Sequence, residues 1–479
     1  MINRLLTSYK KITILYFFIV LVNIVLFGSY LNLIVSLLQY CVVIFCLLKK
    51  RFNEAIFFHM TFVCTSLAPT TAFDLQEDAS AICSYARVKI GPVCVFYLVS
   101  IYLYIASFHK TSNLGHNTLF YKLYKVLMFL AIAGLMLGVY GFIFLEYYEF
   151  SAVLLYGTYI FIVILNMKIL IDNNSAFLLS LFYKNLPPII GASILATFFS
   201  YYAVGISSAY GILDMILQPD MVYFGIIFLM GFYKSEYKKY VLIVSILYIL
   251  MNLVSATGKN IVIIAIGLLY FLYYAYFSRE LYEKDRRSIL QFRIIFILLL
   301  PLAVVCILAF ADMGTLFLVK LENVFSIFSL DVDEVDTSPY VRIATTMNIF
   351  DNNKTNVIGM LFGQGFGGYF TDSLNMFAGL DLSDGGWPDL DVRTGRYTRG
   401  HDTFATVPLL NGFLGLGILL YMCYKYAIFA KRSYMAYAIF PWVIFTFYFN
   451  IIYGIIGICF LYAAEYENQK VQTSEEETL

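Results

Sequence analysis

The sequence predicts an all-α polytopic membrane protein, with about 12–14 transmembrane helices and one large extracytoplasmic loop late in the chain. Three observations predict it. Of the 479 residues, 61% are hydrophobic and only 13% charged, where a soluble domain carries roughly 25% charged residues. Apolar stretches near the ~20 residues that one bilayer crossing needs recur along most of the length. No alternation of period two accompanies them, which argues against a β-barrel.

Taken in order, apolar spans fall at 12–28, 31–48, 55–73, 88–108, 126–145, 150–170, 187–205, 215–233, 240–257, 261–278 and 294–311. The first follows Arg4, Lys10 and Lys11, the basic start that signal peptides share. No small-residue cleavage site follows and a second span comes directly after it, so an uncleaved first helix is expected. After a polar interruption come 406–424 and 435–463, the latter read as one long helix or two short ones broken near Asn450 and Gly454. The chain thus divides into an N-terminal transmembrane bundle (1–311), a long loop (312–405), C-terminal transmembrane helices (406–464) and a polar cytoplasmic tail (465–479) expected to be disordered.

Charge sets the orientation. Lys49-Lys50-Arg51, then Lys110, Lys122 and Lys125, then Lys234, Lys238 and Lys239, the stretch Arg279 to Arg293, and Lys425, Lys431 and Arg432 all fall on one side of these spans. Basic loops mark the cytoplasmic face. The opposite loops are acidic, with Asp74, Glu77 and Asp78, then Glu146 and Glu149, then Asp214 and Asp220. The loop 312–405 belongs to that outer side and is too long for a plain connector. Within it, 341–350 has a helical apolar pattern, with Ser338-Pro339 as its start.

Several motifs in this loop admit more than one chemistry. Gly363-Gln-Gly365-Phe-Gly367-Gly368 satisfies the G-x-G-x-x-G string, but a dinucleotide fingerprint needs a βαβ unit around it. Here the glycines read as positions where backbone approaches a bulky ligand or a neighbouring helix closely. Asp331-Val-Asp333 and Asp389-Leu-Asp391 have the spacing of a metal-chelating pair in nucleotide-sugar transferases. Activated nucleotides are cytoplasmic, so a solvated acidic loop is the better account. The eight cysteines show no metal-ligand spacing and read as small core hydrophobes.

The remaining polar residues suggest a phosphate. His401 differs from His59, His109 and His116 in lying in the long loop just before the return helix, where a neutral imidazole can take a proton from a hydroxyl. Lys259, in Ser255-Ala-Thr-Gly-Lys-Asn260, breaks the positive-inside pattern, either snorkelling to the interface or holding an anion at headgroup depth. Arg342 invites the same choice, and its planar fork suits two phosphate oxygens. Arg393, Arg396 and Arg399 cluster near His401. Trp387, Tyr369 and Tyr397 read either as rings that stack on sugars or as loop core. Cations, a base and glycines for close approach together fit a lipid pyrophosphate, whose leaving charge cations can stabilise without a metal.

The order Ser338-Pro-Tyr-Val-Arg342, Phe362-Gly-Gln-Gly-Phe-Gly367, Gly400-His401-Asp402 and Leu410-Asn-Gly412-Phe-Leu-Gly415 resembles the O-antigen polymerase and O-antigen ligase superfamily. Its members look like this chain overall, and Ala256-Thr-Gly-Lys259-Asn corresponds to a further basic element at the end of an earlier helix. The resemblance implies a GT-C-like fold in a bacterial inner membrane, with the active site facing the periplasm and no metal or cofactor. It implies that Arg342 and Lys259 hold undecaprenyl pyrophosphate, while His401 activates the acceptor hydroxyl; Arg399, Arg396, Gly363 and Gly365 are further candidates for substrate binding. Donor and acceptor are then lipid-linked glycans, with a chain-length regulator protein as a further partner and no role for nucleic acid. Two departures stand out: Lys259 replaces an arginine and Asp402 replaces the usual asparagine. A polymerase joining repeat units is the expected activity. A ligase passing the glycan to lipid A core shares its donor chemistry. A flippase would place charged residues inside the spans, where this sequence has few.

Overall fold

The computed structural model describes residues 8–26, 29–67, 84–90, 93–107, 118–145, 150–204, 219–231, 237–255, 258–277, 337–378, 387, 389–400, 402–445 and 451–476, with isolated positions 6, 286, 290, 293, 294 and 297. These residues are almost all helical. In chain order the elements are α1 (Tyr9–Val25), α2 (Tyr30–Leu48), α3 (Phe52–Phe62), a hairpin of β1 (Lys89–Ile90) and β2 (Val93–Cys94), α4 (Val95–Ser107), α5 (Leu119–Tyr140), α6 (Phe150–Asp172), α7 (Ala176–Val204), α8 (Ile226–Gly231), α9 (Lys238–Ser255) and α10 (Gly258–Phe277). After the long polar stretch come α11 (Thr337–Asn353), α12 (Val357–Phe362), α13 (Asp389–Thr394), α14 (Thr403–Phe429), α15 (Ile439–Phe445) and α16 (Ile451–Glu476).

Helix is the outcome that hydrocarbon surroundings impose, because every backbone N–H and C=O must then find its partner within the segment. Five helices among the described residues are long and apolar enough to cross a membrane: Tyr30–Leu48, Leu119–Phe144, Ala152–Asp172, Ala176–Ser200 and Thr403–Phe429. The fold is therefore that of an all-α polytopic membrane protein. The expected span 294–311 lies almost wholly outside the described residues.

Four spans differ from expectation, and one of them, 215–233, is a 3-10 turn, Asp220–Phe224, followed by the six-residue α8. The stretch expected at 55–73 stops being α-helical at Phe62 and tightens into a 3-10 turn, Val63–Thr65. Its loose end is held from the side, since Asn23 Nδ2 donates to the Thr65 carbonyl at 2.9 Å and Gln39 Nε2 to Thr65 Oγ1 at 2.9 Å. The stretch expected at 88–108 begins with the β1–β2 hairpin, where Lys89 pairs with Cys94, and turns helical only from Val95. Helix α7 starts at Ala176 rather than near 187 and continues through Asn185, whose Nδ2 satisfies itself on the Leu181 carbonyl.

The tail is the clearest correction. Helix α16 runs on to Glu476 instead of dissolving after Ala464. Glu465 is fully buried, and its Oε1 accepts from the N–H of Phe120 in the first turn of α5 at 3.0 Å. A carboxylate at a helix N-terminus satisfies an orphan donor and meets the positive end of the dipole. Glu467 accepts from the Tyr183 hydroxyl at 2.8 Å. The glutamates that read as a soluble tail thus anchor the last helix. The preceding stretch is two pieces, α15 and α16, separated by 446–450.

Candidate functional site

The polar stretch expected as a loop builds its own small scaffold. Helix α11 begins at Thr337, beside the expected Ser338-Pro339 start. Along one face, Asn348 and Asn352 are spaced one turn apart and clamp the segment that follows. Asn352 donates to the Thr371 carbonyl at 2.9 Å and to Ser373 Oγ at 3.0 Å, and accepts from the Thr371 N–H and hydroxyl at 3.1 and 3.0 Å. Asn348 donates to Asp372 Oδ1 at 2.8 Å and accepts from the Leu374 N–H at 3.0 Å. The i, i+4 spacing of these asparagines is the sequence signal of this clamp.

The glycines place this scaffold on the bundle. Helix α14 is broken at Gly412, whose φ of 68° and ψ of −178° are not helical. A break of this kind frees helix carbonyls. The N–H groups of Gln364 and Gly365 donate to the carbonyls of Leu409 and Leu410 at 2.8 and 3.0 Å. The next N–H, of Phe366, crosses to the Gly134 carbonyl of α5 at 2.7 Å.

Gly134 and Gly138 form a small-xxx-small pair, a pattern that usually admits a second helix. Here it admits Phe366. A Cβ on Gly134 would stand 2.5 Å from the Phe366 ring, and one on Gly138 2.2 Å from its carbonyl oxygen. Gly365 has φ +82° and no room for a side chain, since a Cβ would lie 2.2 Å from the Gly138 nitrogen. Gly363 presses likewise on Asn411 and Gly412. Of the two uses expected for these glycines, close approach to a neighbouring helix is what the structure displays. Gly363 and Gly365 are buried, with protein backbone filling the space beside them.

A second arm packs the 387–402 segment. The hydroxyl of Tyr156 on α6 donates to the Thr398 carbonyl at 2.9 Å. Asp391 is buried, and its Oδ2 accepts from the Thr398 N–H and hydroxyl at 2.9 and 3.0 Å. Burial pushes this carboxyl up from its ordinary pKa, against the opposing pull of the Thr398 hydrogen bonds and the Arg399 charge. In the Asp389-Leu-Asp391 pair, the Asp391 carboxylate therefore serves a turn. Trp387 and Tyr397 are 4% and 5% exposed and pack with Phe377 at ring distances of 5.0 and 5.2 Å. They are loop core, so of the three rings considered for sugar stacking only the half-buried Tyr369 presents a face. The Arg396 guanidinium lies over that ring at 5.2 Å.

The described cations of this segment fall into two groups. In one, Arg342 Nε stands 3.9 Å from Asp402 Oδ2, while Asp402 Oδ1 caps α14 by accepting from the Ala405 N–H at 2.9 Å. Asp402 thus both caps the return helix and places its second oxygen beside Arg342. In the other group, Arg399 is 9% exposed and its Nε has no hydrogen-bond partner among the described residues. His401 itself and the Lys259 side chain lie outside the described residues; the backbone of Lys259 belongs to the first turn of α10. The Asp331-Val-Asp333 pair also lies outside them.

No protein-family model, curated protein or solved structure matches the chain.

Proposed function

We propose that the chain is an O-antigen-type polymerase, a glycosyltransferase that joins undecaprenyl-pyrophosphate-linked oligosaccharide repeat units at the periplasmic face of a bacterial inner membrane. The observation that carries this reading is the pairing of Arg342 with Asp402 at 3.9 Å. It brings a guanidinium from the start of α11 to Asp402 at the head of α14, and Asp402 is the chain neighbour of His401, the base that this reading assigns.

His401 accepts the proton of an acceptor sugar hydroxyl, and the hydroxyl oxygen forms a bond to the anomeric carbon of the donor glycan. The bond from that carbon to the pyrophosphate oxygen breaks, and the pyrophosphate leaves as an anion on its lipid. Arg342, with Lys259 and Arg399, carries the leaving charge, a role that preorganised cations fill best away from bulk water. Displacement from the opposite face inverts the anomeric centre. Arg396 and Tyr369 form a further polar and aromatic surface at the rim of the same segment.

Deletion of the gene, followed by separation of cellular lipopolysaccharide by size, tests this function. Loss of long chains with a single attached repeat remaining is the expected result. Complete absence of attached repeats would instead point to a ligase or a flippase.

A further inference from the structure

One face of α12 is apolar and uncovered. Val357 and Ile358 are 61% and 67% exposed, and Leu361 and Phe362, one turn on, are 41% and 43% exposed, while Gly359 is buried. Side chains at i, i+1, i+4 and i+5 make one continuous stripe on a helix. Phe350 of α11 extends it, with its ring 6.2 Å from that of Phe413 on α14. A contiguous apolar patch of this kind marks a surface that something covers.

The depth of α12 follows from what it touches. Its last turn lies against the break in α14, since a Cβ on Gly412 would stand 2.1 Å from the Leu361 carbonyl oxygen. Along α14, Lys425 and Lys431 are roughly 20 and 28 Å from Gly412 at 1.5 Å per residue. The turn that follows α12 gives the depth a second time. The Phe366 N–H donates to the Gly134 carbonyl of α5, and along α5 Lys125 and Lys122 are roughly 14 and 18 Å from Gly134. Lysines near a helix end reach for the interface, so each pair marks where its helix leaves the hydrocarbon. Both routes end inside a layer of ~30 Å, short of its other boundary. Irregular backbone is tolerated at such depth only where protein covers it. Gly363, Gly365 and Phe366 meet that condition, being buried, with the Gly365 and Phe366 N–H groups bonded to the Leu410 and Gly134 carbonyls.

We infer that α12 is a membrane-embedded fin, with Val357, Ile358, Leu361 and Phe362 packed against lipid acyl chains in the leaflet nearer the candidate site. A stretch that reads in the sequence as an extramembrane loop therefore enters the hydrocarbon. Lipid is the occupant because the stripe runs on into Phe413 and Leu414, then Leu420 and Tyr421, the exposed face of a helix long and apolar enough to cross a membrane. A soluble partner does not reach that depth. The exposed polar turn Lys354-Thr355-Asn356 precedes the stripe and gives α12 the polar edge that an interfacial element needs. Asp402 lies about 15 Å before Gly412 along α14, so the fin sets the Arg342–Asp402 pair at the level of the lipid headgroups. The inference stands on depth and exposure and does not depend on the reaction proposed above.

The test reads tryptophans added to the stripe, in the purified full-length chain reconstituted into phosphatidylcholine vesicles. Ile358→Trp and Leu361→Trp are the probes, and the wild-type chain supplies the background of the buried Trp387 and Trp442. Bromine on the acyl chains should quench the added emission at least twofold, and iodide in the water should leave it unchanged. Arg393→Trp, exposed on α13, is the control and should respond to iodide and not to bromine. Two probes on one face keep the reading if one variant folds poorly. Added emission that iodide quenches at the stripe would place α12 in water and overturn the inference. Emission that neither agent quenches would mean that protein covers the stripe, a second copy of this chain or another partner, and would overturn it as well. Neither result bears on the proposed reaction, which chain growth reads.

Discussion

The N–H of Gly365 donates to the carbonyl oxygen of Leu410 across 3.0 Å, tying the glycine turn to a helix that breaks two residues later at Gly412. The turn fills hydrogen bonds that the break leaves open. The break, in turn, lets the chain between 402 and 411 present Asp402 to Arg342. The candidate site is therefore held by backbone, and a methyl group in the wrong place should disturb it.

Gly365→Ala tests that directly. The new Cβ would meet the Gly138 nitrogen at 2.2 Å while forcing an L-residue to φ +82°. Left-handed strain and overpacking together should cost about 3 kcal/mol. Thermal unfolding of the purified protein should show a clear drop in midpoint. Gly157→Ala, whose Cβ would find its nearest atom at 3.9 Å, should leave the midpoint near wild type.

Removing the asparagine clamp should loosen the scaffold without touching the bundle. Asn352→Ala strips partners from Thr371 and Ser373 and should cost about 2 kcal/mol, the sum of several modest hydrogen bonds. Limited proteolysis should then cut within 364–377 faster than in wild type. An unchanged cleavage pattern would mean that the clamp is redundant with the aromatic core around Trp387.

Asp391 gives a pH signature. Burial raises its folded-state pKa above the ordinary 3.8, so the folded protein holds this proton more tightly than the unfolded chain does. Its contribution to stability is then fully present below about pH 3.8 and is lost as pH rises through the folded value. Asp391→Asn keeps an acceptor for both Thr398 donors and removes the titration. The unfolding midpoint of this variant relative to wild type should rise from acid to neutral pH. Asp391→Ala removes the acceptor and should be destabilised at every pH.

Much of this architecture was legible in the sequence, and the parts that were not share a cause. Span positions follow from hydrocarbon length, a property of consecutive residues, which is why 31–48, 150–170 and 261–278 sit close to α2, α6 and α10. What escaped depends on partners distant in the chain. The acid-rich end looked like a soluble tail because nothing local shows that Glu465 caps α5. The glycine cluster was readable as close approach, but not as contact with Gly134 and Gly138, whose spacing signals a small-residue face without naming its occupant. Trp387 and Tyr397 offered rings for sugars until Phe370 and Phe377 closed around them.

Arg342→Lys separates charge from geometry. A lysine keeps the cation but loses the planar fork that grips two oxygens. If Arg342 binds the leaving pyrophosphate, chain growth should fall at least tenfold while the protein is still inserted. Wild-type chain lengths in this variant would remove Arg342 from the site.

The most direct test of the account is polymerisation in vesicles containing only the purified protein and an undecaprenyl-pyrophosphate-linked repeat unit, with products sized on a gel. The wild-type chain should extend the repeat into a ladder and release undecaprenyl pyrophosphate in step with each bond formed, while His401→Ala should give neither ladder nor release despite an unchanged unfolding midpoint. A ladder of normal length from His401→Ala, or none from the wild-type chain, would contradict it.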